Sequence, residues 1–221
     1  MNQKIKSSNL KHKKKKKDTM SYLSKINMSC TNDSLPISYT LERIGTHAKQ
    51  MVEDRGFEII ELSDLEKSIE DVEPFLKGKK TERAYDQRYD ELILLPTKDE
   101  KLSVKTVRLA MELFDPSTCV VLLSIDPKTS FCKKEVDTMG CDNVQSITYK
   151  NLFFNPTRHH LVPKHTFVPL DDPVRSLCKS DEEWPKLPSN DPICNYYNFQ
   201  KGSLVRIQRS DEEVYYRMVS S

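Results

Sequence analysis

Glycine is scarce in this sequence, and its scarcity excludes several kinds of site. The 221 residues include only five glycines, and they form neither a glycine-rich phosphate loop nor the GxSxG motif of serine hydrolases. Long apolar runs are also missing, since no segment approaches the roughly 20 apolar residues that span a bilayer. We therefore expect a soluble protein with a conventional core and without a phosphate-loop or hydrolase site.

The six cysteines lack the spacing of common disulfide or metal motifs. There is no CxxC pair, and no export leader is recognisable, so free thiols in a reducing compartment are expected. A zinc site from Cys132, Cys141, His159 and His160 is an alternative, but the spacings match none of the usual ligand pairs. Buried or idle cysteine is the preferred interpretation.

Charge is distributed unevenly along the chain. The first 20 residues carry eight of the 35 basic residues and one of the 33 acidic ones, which leaves 27 basic against 32 acidic residues, or −5, for the rest. Such a body cannot neutralise many phosphates, so any DNA contact should be local. The run Lys11–Lys17 sits in a polar leader, residues 1–38, that we predict to be disordered. A solvated tail, a nuclear-import signal and a loose polyanion contact are its alternatives.

Residues 39–157 have the pattern of an α/β domain. Apolar residues recur at helical spacing in TLERIGTHAKQMVED, with Thr40 as expected N-cap, and again in SDLEKSIEDVEPFL. The runs ELILL and TCVVLLS indicate buried strands, and a helix capped by Ser103 lies between them, so a parallel crossover is predicted. A further helix begins at Thr129 or Ser130, VQSIT and NLFF are read as strands, and residues 77–88 as a mobile loop.

Residues 158–221 indicate a small α+β domain. Six prolines occur between Pro163 and Pro192. Asn190 or Asp191 is placed to cap a short helix with Pro192 in its first turn, and Gly202 permits a turn into SLVRIQ. EVYYRMV can pair antiparallel with that strand, so the domain is predicted to end in a β-hairpin.

Two enzymatic hypotheses can be weighed on the residues. Asp90, Asp99 and Lys101 have the residue types of a metal-dependent nuclease site, but Asp99 lies in a polar turn, so a solvated loop is preferred. His159, His160 and His165 have the chemistry of a general base, yet no nucleophile motif accompanies them. The sequence therefore predicts no catalytic residue and no metal site.

Aromatic and basic residues are concentrated in the C-terminal region. Alternation along a hairpin turns about half of its side chains inward, so a nucleic-acid stacking platform is less favoured than a protein interface, where Tyr and Arg are common anchors. The residues considered are Tyr196, Tyr197, Phe199, Arg206, Arg209, Tyr215, Tyr216 and Arg217.

Four motifs in order, contained in three stretches of the sequence, carry a family resemblance. HHLVPKH, NDPICNYYNFQKGSLVRIQR and VYYRMV resemble the C-terminal domain of RNA polymerase subunit five of eukaryotes and its archaeal counterpart. Upstream, DRGF, LSVKTV and NLFFNPTRHHLVP resemble the eukaryotic jaw domain. The resemblance covers roughly residues 40–221. It implies an α/β N-terminal jaw domain, residues 39–157, plus a small α+β C-terminal assembly domain, residues 158–221.

The resemblance also implies the function and partners. The protein would be a noncatalytic subunit of a DNA-directed RNA polymerase that docks on the largest subunit and places its jaw near downstream double-stranded DNA. Nucleotide addition and its magnesium belong to the large subunits, so no cofactor is expected. The alternatives are a metal-dependent nuclease-like domain and a free-standing interaction module.

The family's motifs carry over residue by residue. The assembly signature falls on Leu161, Val162, Pro163, His165, Asp191, Pro192, Tyr197, Gly202, Val205, Ile207, Arg209, Tyr216 and Arg217. The prolines, Gly202 and Asp191 are expected to be scaffold, and exposed Arg and Tyr to make contacts. The DNA-proximal residues are Lys128, Thr129, Ser130, Lys133 and Lys134, in the altered motif DPKTSFCKK.

Two departures from the family pattern suggest an unusual lineage. Asn198 replaces a glycine, although asparagine tolerates the left-handed conformation, and the turn between the last two strands is shortened to RSDEEV. A large DNA virus that encodes its own polymerase is one origin that fits this divergence. The expected location is the nucleus, or the virion and viral factory if the protein is viral.

Overall fold

The computed structural model describes residues 22–140, 142–178, 180–211 and 213–220, which form helices around two β-sheets. The helices are α1 (residues 22–31), α2 (Ile37–Asp54), α3 (Leu65–Asp71), α4 (Val104–Leu113), α5 (Ser130–Met139), α6 (Tyr149–Leu152) and α7 (Pro192–Tyr197). The strands are β1 (Phe57–Leu62), β2 (Leu76–Lys80), β3 (Glu91–Pro96), β4 (Thr118–Ser124), β5 (Val144–Thr148), β6 (Lys164–Val168), β7 (Lys186–Pro188), β8 (Leu204–Gln208) and β9 (Val214–Ser220). Within these ranges no helix has the length and apolar character needed to span a bilayer.

The first sheet has the order β1-β2-β3-β4-β5. It is antiparallel from β1 to β3 and parallel from β3 to β5. All seven residues of β4 are buried, which is typical of a parallel strand covered on both faces. The predicted strand, helix, strand crossover is confirmed, and Ser103 and Thr129 cap α4 and α5 through their side-chain oxygens, as the sequence indicated.

Helices cover both faces of this sheet. On one face α4 and α5 pack Val107, Ala110 and Val136 against the β4 side chains Val120 and Leu122. On the other face α1, α2, α3 and α6 contribute to a larger core cluster. The sequence therefore builds a three-layer α/β arrangement around β3, β4 and β5.

The predicted disordered leader, residues 1–38, is too long. Residues 22–31 are helical, and Tyr22, Leu23 and Ile26 are buried in the larger core. Thr40, predicted as a helix cap, is instead buried and donates its hydroxyl hydrogen to Asn27 Oδ1 at 2.5 Å, because α2 already begins at residue 37. The run Lys11–Lys17 lies outside the described residues.

The prediction of a mobile loop at residues 77–88 was wrong for residues 77–80, whereas residues 81–88 contain no helix or strand. β2 occupies its first part and pairs with both β1 and β3. The strand lacks an apolar pattern because one inward position is Gly78, where a Cβ would lie 2.9 Å from Val52 Cγ1. An outward position, Lys79, has Glu58 and Glu91 as neighbours on the flanking strands. Small and charged residues therefore concealed a strand from the periodicity analysis.

The prediction of a strand at NLFF was also wrong. The first two residues belong to helix α6, which starts directly after β5, and Thr148 Oγ1 accepts a hydrogen bond from Asn151 N at its first turn. Four apolar or amide residues satisfy a helical turn as well as a short strand, so periodicity did not separate the two.

The second sheet has the order β6-β8-β9-β7. β8 and β9 form the predicted antiparallel hairpin. One face packs Val205, Ile207 and Val219 against α7, and the other packs Leu204 and Met218 against Trp184. This part is mixed α+β, as expected from the sequence, and its short strands are held by two small cores.

Arg55 connects the two sheets. Its side chain is only 2% exposed, and its Nε donates to Tyr196 O at 2.7 Å while Nη2 donates to Gln145 Oε1 at 2.8 Å and Asn195 O at 3.2 Å. Arg55 follows α2, Gln145 lies on β5, and the two carbonyls belong to α7. A buried guanidinium therefore links three elements across the junction.

Candidate interaction surfaces

The segment that contains LVPKH is fixed by a histidine. His165 Nδ1 lies 2.7 Å from Pro163 O, and because a carbonyl accepts, the nitrogen must donate. Burial lowers the pKa of His165 below its ordinary value. The neutral ring therefore ties the start of β6 to the preceding turn, which fits a scaffold better than a general base.

Helix α7 has the start and end that its sequence predicts. Asp191 Oδ1 accepts from Ile193 N at 2.8 Å, and Pro192 occupies the first turn. The helix ends at Asn198, which has φ 58° in the left-handed region. Asparagine thus takes the conformation expected at a position where glycine is favoured.

Gly202 forms the turn that leads into β8. Its φ is +85°, and an added Cβ would meet nothing within 4 Å. The requirement for glycine here is therefore backbone conformation and not space.

The predicted assembly signature divides by exposure. The exposed members are Leu161, Pro192, Gly202, Arg209 and Arg217; the half-buried ones are Val162, Pro163, His165, Asp191, Tyr197 and Tyr216; the buried ones are Val205 and Ile207. The two buried residues belong to the core against α7. Only part of the signature is therefore available to touch a partner.

The hairpin presents a basic and aromatic surface at the side of the sheet that α7 packs on. Arg209 lies over the ring of Tyr215, with 5.2 Å between the guanidinium carbon and the ring centroid. Tyr215 is 46% exposed, and Arg217, two residues along the same strand, is exposed. We call Arg209, Tyr215 and Arg217 the hairpin surface.

The more exposed tyrosine of the YY pair is not the one in the predicted signature. Tyr216 is half-buried, with its ring centroid 5.9 Å from that of Trp184, whereas Tyr215 is exposed. Strand alternation places the two on opposite faces. The sequence did not show which of the two tyrosines points outward, because the segment that covers the Tyr216 face, including Trp184, has no periodic pattern.

The sequence analysis also missed Leu170 and Leu177, which are both strongly exposed.

The predicted DNA-proximal residues lie together at the start of α5. Thr129 Oγ1 accepts from Cys132 N at 3.1 Å, Lys128 is half-buried, and Ser130, Lys133 and Lys134 are exposed. Three cations at the positive end of a helix repel one another and the helix dipole unless an anion is near. The arrangement is thus suited to a phosphate contact.

The nuclease-like constellation does not assemble. Asp90 and Asp99 lie at opposite ends of β3, whose six residues span about 20 Å. Asp90 pairs with Lys80 at 2.8 Å, and Asp99 Oδ2 accepts from Ser103 N and the Thr106 hydroxyl at the start of α4. The backbones of Lys101 and Asp126 form an isolated parallel β-bridge. These carboxylates therefore serve local structure.

The zinc alternative gains no support from the described residues. Across residues 22–140, 142–178, 180–211 and 213–220, no three His, Cys, Asp or Glu side chains are grouped so as to hold a metal ion. Cys132 is buried in α5, His159 and His160 stack on each other with centroids 4.8 Å apart, and Cys141 lies outside the described residues. Burial raises the pKa of Cys119 to about 11 and that of Cys194 to about 12, so neither is an activated thiol.

The C-terminal sheet, its capped helix and its hairpin lie in a region that is similar to a known protein family. Residues 154–219 match the family model "RNA polymerase Rpb5, C-terminal domain". This match confirms that the C-terminal region resembles polymerase subunit five.

Similar proteins extend the relationship over most of the chain. The "DNA-directed RNA polymerases I, II, and III subunit RPABC1" of Caenorhabditis briggsae is 22% identical over 204 residues, which is 82% of this chain and 96% of the relative. The corresponding subunit of Caenorhabditis elegans gives the same values. "Uncharacterized protein 092R" of Invertebrate iridescent virus 3 is 37% identical over 67 residues, covering 30% of this chain and 36% of the viral protein. The chain is thus similar to RNA polymerase subunits of two nematodes over most of its length and to a viral protein over about a third of it.

Proposed function

We propose that this protein is a noncatalytic subunit of a multisubunit DNA-directed RNA polymerase and that its C-terminal sheet docks on the largest subunit. The observation that carries the proposal is the Rpb5 C-terminal domain match over residues 154–219, combined with an alignment that covers 96% of nematode RPABC1. In this proposal nucleotide addition and its magnesium belong to the large subunits. The protein itself contributes no catalytic residue and no cofactor.

Docking through the hairpin surface is supported by its chemistry. Arginine and tyrosine are among the residues enriched at the energetic centre of protein interfaces, and the Arg209–Tyr215 stack holds both side chains in place before binding. A preorganised pair loses less side-chain entropy on association. The exposed Leu161 lies in the LVPKH motif and supplies an apolar contact of the same assembly surface.

Residues 39–157 form the jaw in this proposal, and the start of α5 faces downstream duplex DNA. Its donors are Lys128, Thr129, Ser130, Lys133 and Lys134. Since the chain beyond residue 20 carries a net charge of −5, the interaction with DNA is local and weak.

Affinity purification of the tagged protein from its native source tests the polymerase assignment. The two largest polymerase subunits are expected in near-stoichiometric amounts. Recovery of the protein without them would instead favour a free-standing interaction module, the remaining alternative.

Paired variants test the docking surface. The double variant Arg209→Glu, Arg217→Glu is expected to reduce recovery of the large subunits at least tenfold, because charge reversal at an interface costs several kcal/mol. Arg206→Glu is the matched control, since Arg206 is exposed but lies on the opposite face of β8. Equal loss with both variants would exclude the hairpin surface as the specific contact.

The salt dependence of DNA binding tests the jaw assignment. Deletion of residues 1–20 removes eight basic residues and should flatten the dependence of duplex affinity on salt, because the slope falls by about one for every phosphate that is no longer neutralised. The double variant Lys133→Glu, Lys134→Glu should remove the salt dependence that remains after this deletion. An unchanged residual slope in that variant would place the DNA-binding residues elsewhere.

A viral origin is supported by the relative from Invertebrate iridescent virus 3 and by the divergent turn RSDEEV. In that case the protein acts in the virion or in a viral factory in the cytoplasm, and otherwise in the nucleus with the host polymerases. Immunostaining of infected and uninfected cells distinguishes these locations.

A further inference from the structure

One edge of the first sheet opens onto a groove. β5 is the last strand of the order β1-β2-β3-β4-β5, and a cleft of about 790 Å³ runs along it. Val144, Ser146 and Thr148 line one side, and residues between Ser189 and Lys201 line the other. A strand edge facing a groove of this kind is accessible to another chain.

The register of the parallel ladder determines which backbone groups face the groove. Val120 pairs with Val144, and Val120 N donates to Asn143 O at 2.8 Å. In a parallel ladder the odd-numbered residues of β5 therefore direct both N–H and C=O to β4, and Val144 and Ser146 direct theirs away from it. Among the hydrogen bonds of the described residues, none uses the backbone groups of Val144 or Ser146. Two donors and two acceptors are thus available to a further strand.

The groove is polar and carries a positive charge. Its charged lining residues are Lys128, Lys133 and Lys201 against a single acid, Asp142. Most of the remaining lining consists of amide and hydroxyl side chains, and the exceptions are Pro127, Val136, Val144, Cys194 and Phe199. Such a lining favours an acidic occupant over a basic or strongly apolar one.

We propose that the open edge of β5 binds an acidic, extended peptide segment of a partner protein as a sixth strand of the first sheet. A peptide offers alternating N–H and C=O groups that match those of Val144 and Ser146. A nucleic-acid backbone offers acceptors to the N–H groups but no donors to the two carbonyls, so it satisfies only half of the edge. The inference goes beyond the polymerase role and does not depend on it.

The length of the edge limits the segment. β5 has five residues, which extend over about 17 Å, so five or six peptide residues suffice. In the added strand, alternate side chains point to opposite faces of the sheet, and Lys128, Lys133 and Lys201 in the groove lining supply cations for acidic ones.

Fluorescence anisotropy of the full chain with two labelled peptides tests this proposal. The probe is a hexapeptide of alternating glutamate and valine, and the control peptide alternates lysine and valine. The acidic probe is expected to bind at least tenfold more tightly than the basic one. Equal affinity, or no binding of the acidic probe, would overturn the proposal.

Two substitutions at one position separate strand addition from charge attraction. Ser146→Pro removes an outward N–H without affecting the ladder to β4, and proline is tolerated at such an edge position. Ser146→Pro should weaken binding of the acidic probe about tenfold, whereas Ser146→Ala, which keeps the N–H, should change the affinity less than twofold. Equal affinity of both variants would refute strand addition. Far-UV circular dichroism reports whether Ser146→Pro is folded.

A measurement on the unmodified protein keeps the test decisive if the proline variant fails to fold. Saturation with the acidic probe should slow amide hydrogen exchange at Val144 and Ser146 at least tenfold. In a separate binding measurement, Lys201→Glu should weaken the affinity for the probe severalfold. A 20-base-pair duplex that protects these amides while the peptide does not would assign the groove to nucleic acid and overturn the proposal.

Discussion

Replacement of Arg55 by methionine should weaken the connection between the two sheets. Methionine keeps most of the side-chain length but removes three hydrogen bonds to oxygen, at Tyr196 O, Asn195 O and Gln145 Oε1, and a weak one to Met51 Sδ. Each buried acceptor left without a donor costs about 1–3 kcal/mol. Asn195 O retains a donor, since Gln145 Nε2 lies 2.7 Å from it, so the gross loss comes from two acceptors and amounts to about 2–6 kcal/mol.

A compensating gain reduces that loss. Arg55 is a buried cation whose described hydrogen-bond partners are all neutral, and within the described residues its Nη1 has no partner. Removing an incompletely paired buried charge recovers part of its desolvation cost. We therefore expect a net loss of about 2–4 kcal/mol in the free energy of unfolding, equivalent to a fall of about 5–15 °C in the melting temperature of a chain of this size.

Urea unfolding followed by far-UV circular dichroism measures this effect. Arg158→Met is the matched control, because Arg158 also lies at the junction but is 66% exposed and pairs loosely with Asp54 at 3.6 Å; its loss should stay within about 0.5 kcal/mol. If Arg55→Met unfolds at the same urea concentration as the wild type, the guanidinium does not hold the junction. A second transition in the variant would indicate that the two sheets unfold separately.

Three further predictions concern the core, pH and the excluded nuclease site. Ile26→Ala should lower the free energy of unfolding by about 2–5 kcal/mol, because this fully buried side chain joins α1 to the main core. As a control, deletion of residues 1–20 should leave the free energy of unfolding unchanged in the same urea assay. Burial raises the pKa of Cys119 from 9.0 to about 11. Between these two values the unfolded chain loses the thiol proton while the folded chain keeps it, so the free energy of unfolding falls above pH 9, by up to about 1.4 kcal/mol per pH unit. Comparison of the wild type with Cys119→Ala at pH 8 and 10 isolates this loss, and an equal change in the free energy of unfolding of both proteins would contradict it. Asp99→Ala combined with Lys101→Ala should leave divalent-dependent DNA cleavage at the same background as the wild type, and a drop on substitution would revive the nuclease hypothesis.

Sequence periodicity identified the parts of the fold whose side chains are uniformly apolar. β3 and β4 were predicted as buried strands because both are continuous apolar runs, and in the structure all of β4 and most of β3 are buried. β2 was not, since its inward residues are Leu76 and Gly78 and its outward ones are lysines. A strand whose inward position is filled by a neighbour's side chain, here Val52 packing against Gly78, leaves no hydrophobic alternation to detect.

Helix α1 was missed for a different reason. Its buried residues Tyr22, Leu23 and Ile26 occupy only one turn, and the lysine-rich sequence before them suggested a continuous polar leader. The bond from Thr40 to Asn27 Oδ1 that fixes α1 against α2 joins residues 13 positions apart. Such a tertiary contact has no local signature in the sequence. The boundary predicted from composition therefore placed the start of the folded region too far along the chain.

The motif residues of the C-terminal domain show why a family signature predicts a fold better than a contact surface. Val205 and Ile207 are in the signature because they fill the core beneath α7, and Asp191 because it caps that helix. Arg209 and Arg217 are the members that remain exposed on the hairpin. Tyr215, which Arg209 stacks on, lies outside the signature, although in the structure it completes the hairpin surface. Residues that must keep one identity to build a scaffold are therefore over-represented in such a pattern, and partner contacts have to be identified from exposure and strand phase.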